Sequence, residues 1–178
     1  MKKSVLFLAE AAVIAALYYI LTVLLWQFSS FGIQIRLSEA LIMFTCFTSA
    51  SVPGLFIGCF LANLTMGGII DAVFGALTTL AGAFFGRAIV KGLEKRNRPK
   101  AVPFLAPVPN ILLNAVAVPL ILVFGYGIRS FGSQTSTTLV LLLNGLSVFI
   151  GEALSSYVFG LPLYFAVKKL RALLFPAK

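Results

Sequence analysis

The sequence contains no histidine, only two cysteines and few charged residues. Histidine is the most common general base and metal ligand, so its absence argues against acid–base and metal catalysis. The two cysteines, Cys46 and Cys59, lie inside apolar runs and are interpreted as small buried residues, not as a disulfide or zinc site. Only 11% of the 178 residues are charged, whereas a soluble domain has roughly 25%. An ordinary soluble globular domain is therefore excluded.

Signatures of common catalytic machinery are missing as well. The chain has no GxxxxGK[ST] phosphate loop, no HExxH motif and no GxSxG motif with a histidine partner. It has only five acidic residues, Glu10, Glu39, Asp71, Glu94 and Glu152. We therefore predict that the protein is not an enzyme, has no catalytic or metal-binding residues and needs no cofactor. A small binding protein embedded in the membrane is the better class.

Long apolar runs dominate what is present. Hydrophobic residues make up 60% of the chain, and the mean hydropathy is +1.04. These runs predict an all-α integral membrane protein with one membrane domain over residues 1–178. The first run is too long for the apolar region of a signal peptide and is interpreted as a retained helix. The six predicted transmembrane helices span about residues 5–27, 38–51, 53–67, 71–90, 107–126 and 138–167. The second and third are short for single spans, and a turn at Pro53-Gly54 is expected between them.

The positions of the basic residues predict the orientation. Under the six-helix arrangement, twelve of the fourteen lysines and arginines lie on one side, in the N-terminal segment, the segment 87–100 and the C-terminal tail. Only Arg36 and Arg129 lie on the other side. Since positive charge is retained in the cytoplasm, both termini are predicted to be cytoplasmic. This placement accounts for the net charge of +9 without a nucleic-acid partner.

Polar residues inside the apolar runs are candidates for a binding site. A carboxylate in a membrane span costs about 2.5–3.5 kcal/mol and tends to face a cavity or a partner. Glu152 is expected roughly 20 Å from the outer end of the sixth helix, near the membrane midplane. Asn144 lies on the same side of that helix, Asn110 and Asn114 form an i, i+4 pair, and Asn63 is isolated on the third helix. The alternative for each is a structural bond between helices.

The segment IQIRLSEAL is a second candidate region. Ser38 is expected to cap the second helix with Glu39 in its first turn. The functional interpretation places Arg36 and Glu39 at the outer mouth, facing a ligand, and the alternative is a weak exposed ion pair between them. Asp71 begins the fourth helix, where it either contacts ligand or caps the helix.

Small residues recur at a spacing that allows close helix packing. The first helix carries two overlapping pairs, Ala11/Ala15 and Ala12/Ala16. Gly54/Gly58 and Gly82/Gly86 are GxxxG pairs. Packing within the chain is one interpretation. For the first helix, a flat alanine face would also suit docking to another subunit.

These features together resemble a known family. A six-helix protein of this size with an AxxxA stripe on its first helix and no ATPase resembles the substrate-binding S components of energy-coupling factor (ECF) transporters. The segments IQIRLSEAL, VPGLFIGCFLANLTMGGIIDAVFGALTTLAG, PVPNILLNA and VFIGEALSSYVFGLPLY are similar to the queuosine-precursor (QueT) S components. The resemblance covers roughly residues 9–165.

The resemblance implies an S-component-like bundle in a prokaryotic cell membrane, crossing it several times. Such a component captures its ligand from outside and associates with a membrane T subunit and two cytoplasmic ATPases, forming an ABC-type vitamin importer. Ala12 and Ala16 match the family's docking alanines. The implied ligand is a 7-deazaguanine: queuine, preQ1 or preQ0.

The residue types suit such a ligand. Carboxylates accept the N–H groups of a guanine edge, asparagine amides and Arg36 donate to its carbonyl, and a cationic arm would take a second carboxylate. Aromatic rings would sandwich the flat base. The predicted ligand-binding residues are Arg36, Glu39, Asn63, Asp71, Asn114, Asn144 and Glu152, with Trp26, Phe31 and Tyr126 as an aromatic wall. Two alternatives stay open: an S component for another vitamin, and a small structural scaffold protein of the membrane.

Overall fold

The structure is a computed structural model that describes residues 3–25, 36–127 and 136–174, with side chains up to residue 170. Within these ranges the chain is helical and contains no strand. We number the α-helices α1 to α5 and treat a buried 3₁₀ helix separately. The elements are α1 (Lys3–Leu24), the 3₁₀ helix (Leu37–Cys46), α2 (Ser51–Met66), α3 (Asp71–Lys95), α4 (Pro99–Gly125) and α5 (Thr137–Ala153, continued by Leu154–Phe159 and Gly160–Leu174).

Four of the described helices are long and apolar enough to cross a membrane. These are α1, α3, α4 and α5; the 3₁₀ helix and α2 are shorter apolar helices. At 1.5 Å per residue, the 22 residues of α1 extend about 33 Å, which matches a hydrocarbon core of about 30 Å. Large apolar side chains cover the outside of the bundle, among them Leu8 and Phe124, which are 65% and 71% exposed. Such a surface is suited to lipid.

The 3₁₀ helix occupies the centre of the bundle, where a second α-helix over 38–51 was predicted. All of its residues from Ser38 to Cys46 are buried, and it packs against α1, α3 and α5. A 3₁₀ helix rises about 2.0 Å per residue, so ten residues extend about 20 Å, whereas an α-helix of ten residues would extend about 15 Å. The tighter winding carries a short segment deep into the protein.

The turn after the 3₁₀ helix lies earlier than predicted. Pro53 and Gly54 belong to the first turn of α2, where a proline removes no helical hydrogen bond because the first N–H groups have no intrahelical partner. The chain instead reverses between Cys46 and Ser51. The predicted turn at Pro53-Gly54 is therefore wrong.

Polar side chains from two neighbouring helices hold this reversal. The Thr48 hydroxyl donates to Glu10 Oε2 on α1 at 2.5 Å. Arg87 on α3 donates from Nη1 to the Thr45 carbonyl at 2.9 Å and from Nε to Ser49 Oγ at 3.3 Å. Arg87 therefore stabilises the end of the 3₁₀ helix from within α3.

The basic segment 91–100 is mostly helical. Helix α3 continues to Lys95, and α4 begins at Pro99, earlier than the predicted residue 107. Asn97 makes the turn between them with a φ of 53°, a left-handed conformation that asparagine tolerates better than most residues. The described basic side chains of this segment remain exposed.

Helices α1 and α2 approach closely through their small residues. A Cβ added to Gly54 would lie 2.8 Å from the Ala11 carbonyl oxygen, and one added to Gly58 would lie 2.7 Å from that of Ala15. Ala11 and Ala15 are therefore used for packing inside the chain. Ala12 and Ala16, on the other side of the same helix, stay exposed.

Candidate ligand-binding site

Two buried carboxylates meet at one amide in the interior of the bundle. Asn110 Nδ2 donates to Glu39 Oε2 at 2.9 Å and to Glu152 Oε2 at 3.3 Å. Glu39 and Glu152 are 2% and 5% exposed, and Asn110 is fully buried. The three side chains come from the 3₁₀ helix, α5 and α4, so the cluster joins three separate elements. We call Glu39 and Glu152 the carboxylate pair and Asn110 the bridging amide, because they form the centre of the site.

Two further donors complete the hydrogen bonds to the pair. The Tyr18 hydroxyl, from α1, donates to Glu39 Oε1. Asn114 Nδ2, one turn along α4 from Asn110, donates to Glu152 Oε1 at 3.1 Å. All four carboxylate oxygens thus accept a hydrogen bond from a neutral side chain. Bonds of this kind to an ionised group are stronger than those between neutral groups.

A glycine on α3 allows α4 to bring the bridging amide into place. A Cβ added to Gly82 would lie 2.7 Å from Asn110 Cα and would also contact Asn110 Oδ1. The Asn110 side chain therefore points its carbonyl oxygen towards Gly82 and its NH₂ group towards the carboxylates. This orientation is the favourable one, because the opposite rotamer would place a carbonyl oxygen against two carboxylates.

Helix α5 adds polar atoms that find no hydrogen-bond partner among the described residues. They are Asn144 Nδ2, Ser155 Oγ and Ser156 Oγ, and all three residues are buried. At helical spacing they lie on the same side of α5 as Glu152. Buried polar groups almost always have a partner, so these atoms are candidates for hydrogen bonds to a polar ligand or to ordered water.

Arg36 and Asp71 lie near the start of the 3₁₀ helix and interact through their charges. Glu39 was expected beside Arg36 at the outer mouth, but it is buried at the carboxylate pair because the 3₁₀ helix runs inward from Leu37. Arg36 is partly exposed and forms no direct ion pair with a described residue. It nevertheless interacts through its charge with Glu39, Asp71 and Glu152. The proposed surface pair of Arg36 with Glu39 is therefore not present.

Asn63 and Tyr126 contact the backbone at the turn between α2 and α3. Asn63 Nδ2 donates to the Asp71 carbonyl at 3.1 Å, which is the structural bond considered as its alternative. The Tyr126 hydroxyl donates to the Gly67 carbonyl at 2.7 Å and accepts the Asp71 N–H at 3.3 Å. Asp71 begins α3 without a side-chain capping bond. Trp26 and Phe31, the other predicted wall residues, lie outside the described residues.

Two residues of the site, Asn110 and Tyr18, are not in the set of predicted ligand-binding residues. In the sequence, Asn110 stands out only through its i, i+4 spacing to Asn114, and Tyr18 lies within an apolar helix without a polar neighbour that marks it. A signal for Tyr18 does exist, since Ala11, Ala15, Tyr18 and Thr22 recur at the spacing of one helix face and are buried. The Thr22 hydroxyl also contacts Ser38 Oγ at 2.8 Å, which places this face of α1 against the start of the 3₁₀ helix.

Removal of the Tyr18 hydroxyl should destabilise the protein. In Tyr18→Phe, Glu39 Oε1 loses its donor and stays buried, which should cost about 1–3 kcal/mol. Thermal unfolding of the detergent-purified protein measures this as a lower melting temperature. Tyr19→Phe is the matched control, because Tyr19 is partly buried and its hydroxyl forms no hydrogen bond to a described residue. Equal melting temperatures for the two variants would contradict the role of Tyr18.

Comparisons with known proteins identify a family. A family model described as "QueT transporter" matches residues 8–169, which is nearly the whole chain. Neither the curated proteins nor the solved structures give a match. The matched range includes both carboxylates, the bridging amide and the exposed alanines of α1.

Proposed function

Since the chain belongs to the QueT transporter family, a family of membrane transporters and not of enzymes, we propose that it is the substrate-binding S component of an ECF-type ABC importer. Its ligand is a queuosine precursor of the 7-deazaguanine class, namely queuine, preQ1 or preQ0. The protein captures this ligand from outside the cell and delivers it inward together with a T subunit and two cytoplasmic ATPases.

The observation that carries this proposal is the buried polar cluster. Two carboxylates and two amides are buried together inside a membrane-type bundle. Because burying carboxylates costs free energy, such groups tend to face a ligand or a partner. The Asn144 amide and the hydroxyls of Ser155 and Ser156 are donors for the carbonyl and ring nitrogens of a guanine. Asp71 and Arg36 supply an acceptor and a donor at the outer end.

The proposed arrangement has six membrane crossings with both termini in the cytoplasm. The four long helices, together with the two shorter apolar ones, provide the six segments. The exposed basic segment between α3 and α4 then lies in the cytoplasm, as positive residues prefer. Arg36 and Asp71 lie on the outer side, where a ligand would enter.

The test is equilibrium binding of 7-deazaguanines to the detergent-purified protein. We expect tight binding of 7-aminomethyl-7-deazaguanine (preQ1), with riboflavin and biotin as negative controls. Tight binding of a control vitamin instead would favour an S component for another vitamin. Absence of binding by every compound would favour the scaffold alternative, in which the bonds of Glu152 to Asn110 and Asn114 serve only to join helices.

A further inference from the structure

The carboxylate pair converges on a single point. Glu39 and Glu152 accept hydrogen bonds from the same nitrogen atom, Asn110 Nδ2. A flat purine has its N–H edge and its 7-substituent on opposite sides of the ring system, so two carboxylates this close together are not placed to bind one side each. Their geometry fits one donor group that carries several hydrogens.

The charge around the pair points to a cationic donor. The described groups that bond directly to the two carboxylates, Tyr18, Asn110 and Asn114, are all neutral. Arg36 forms no direct ion pair with either carboxylate, and its charge interacts with Asp71 as well as with the pair. Two close buried carboxylates repel each other and lose hydration. A bound cation would offset both costs.

The carboxylate oxygens retain the capacity for such a group. Each of the four oxygens accepts one hydrogen bond from a described side chain. A carboxylate oxygen has two lone pairs, so each oxygen can accept one more. An ammonium has three N–H donors and no acceptor. An ammonium therefore has enough donors to bond to both carboxylates at once.

We propose that Glu39 and Glu152 together bind the ammonium group of the ligand's 7-aminomethyl arm, so that the site selects cationic over neutral 7-deazaguanines. The ring is then bound by other groups, among them Asn144 and Ser155 on α5. This inference rests on the proposed function and specifies which part of the ligand the pair binds.

The experiment compares two ligands of nearly equal size. 7-Aminomethyl-7-deazaguanine carries the ammonium, and 7-cyano-7-deazaguanine (preQ0) has a neutral nitrile in its place. We expect the purified protein to bind the amine about a hundredfold more tightly, because the nitrile leaves the buried carboxylates without a counter-charge. A preference below tenfold would overturn the inference while leaving the proposed function intact. Absence of binding by both compounds would instead remove the proposed function.

Two single variants test whether the pair acts together. Glu39→Gln and Glu152→Gln should each reduce the preference for the amine over the nitrile by at least tenfold, because each removes one of the two negative charges. Retained nitrile binding also shows that the variant is folded. Glu94→Gln is the matched control, since Glu94 is exposed near the end of α3; its preference should not change.

The variants also separate this inference from its main rival. If one carboxylate instead binds the N–H edge of the guanine, its glutamine variant will lose affinity for amine and nitrile equally, which would overturn the shared-ammonium assignment. If neither variant folds, the amine-to-nitrile preference of the unmodified protein decides, with the same tenfold limit.

Discussion

Gly82→Ala should weaken ligand binding strongly although Gly82 itself provides no polar group. The added methyl would lie 2.7 Å from Asn110 Cα, and since this is a backbone atom, α4 has to move. Asn110 would then lose its bonds of 2.9 Å and 3.3 Å to the carboxylate pair. Each hydrogen bond to a charged group contributes about 1.5–3 kcal/mol, so we expect affinity for 7-aminomethyl-7-deazaguanine to fall about tenfold to a hundredfold.

The same substitution should also lower stability, by about 1–3 kcal/mol, as expected when a well-packed contact is overfilled. Gly92→Ala provides the control on the same helix, because a Cβ at Gly92 would meet no atom within 4 Å. An alanine there is expected to be neutral or slightly stabilising, since alanine has the higher helix propensity. The packing argument for α3 and α4 would fail if both variants bound ligand normally.

The long helices were predictable from the sequence because their signal is local. A run of about twenty apolar residues predicts a membrane span regardless of its neighbours, and α1, α3, α4 and α5 follow such runs. The 3₁₀ helix was not predictable in this way. Its winding depends on burial against α1, α3 and α5 on all sides, and apolar composition does not distinguish it from a short α-helix.

The sequence identifies most of the buried polar residues of the candidate site, but it does not show which of them bond to one another. Glu152 and Asn114 stand out because polar groups are rare in apolar spans. That Glu39 joins them depends on the inward path of the 3₁₀ helix, which brings a residue 113 positions away in the sequence to the same amide. Tyr18 is recognisable only once the buried face of α1 is known.

The alanines of α1 are a further case in which the sequence identifies the residues but not their contacts. The sequence shows two overlapping pairs and does not assign them to different partners. In the structure, Ala11 and Ala15 contact the glycines of α2, whereas Ala12 and Ala16 are exposed. Along the exposed side, the two alanines lie between Leu8 and Ile20, which are 65% and 48% exposed. They therefore form a shallow notch into which a partner helix can pack closely.

Filling this notch should abolish assembly with the proposed T subunit. In Ala16→Leu the larger side chain projects from the exposed side of α1 and prevents close helix contact, so copurification with the T subunit and ATPases should be lost. Affinity for 7-aminomethyl-7-deazaguanine should stay within about twofold of the unmodified value, because Ala16 faces away from Tyr18 and the carboxylate pair. Ala12→Leu should behave in the same way.

Two further substitutions show whether the effect belongs to the notch. Ala88→Leu places the same side chain at an exposed alanine of α3 and should leave the complex intact. Ala15→Leu should instead destabilise the isolated protein, because Ala15 packs against Gly58. A normal complex with Ala16→Leu, or its loss with Ala88→Leu as well, would mean that the exposed alanines of α1 are not the docking surface. In that case the notch would be a lipid-facing feature that results from α1–α2 packing alone.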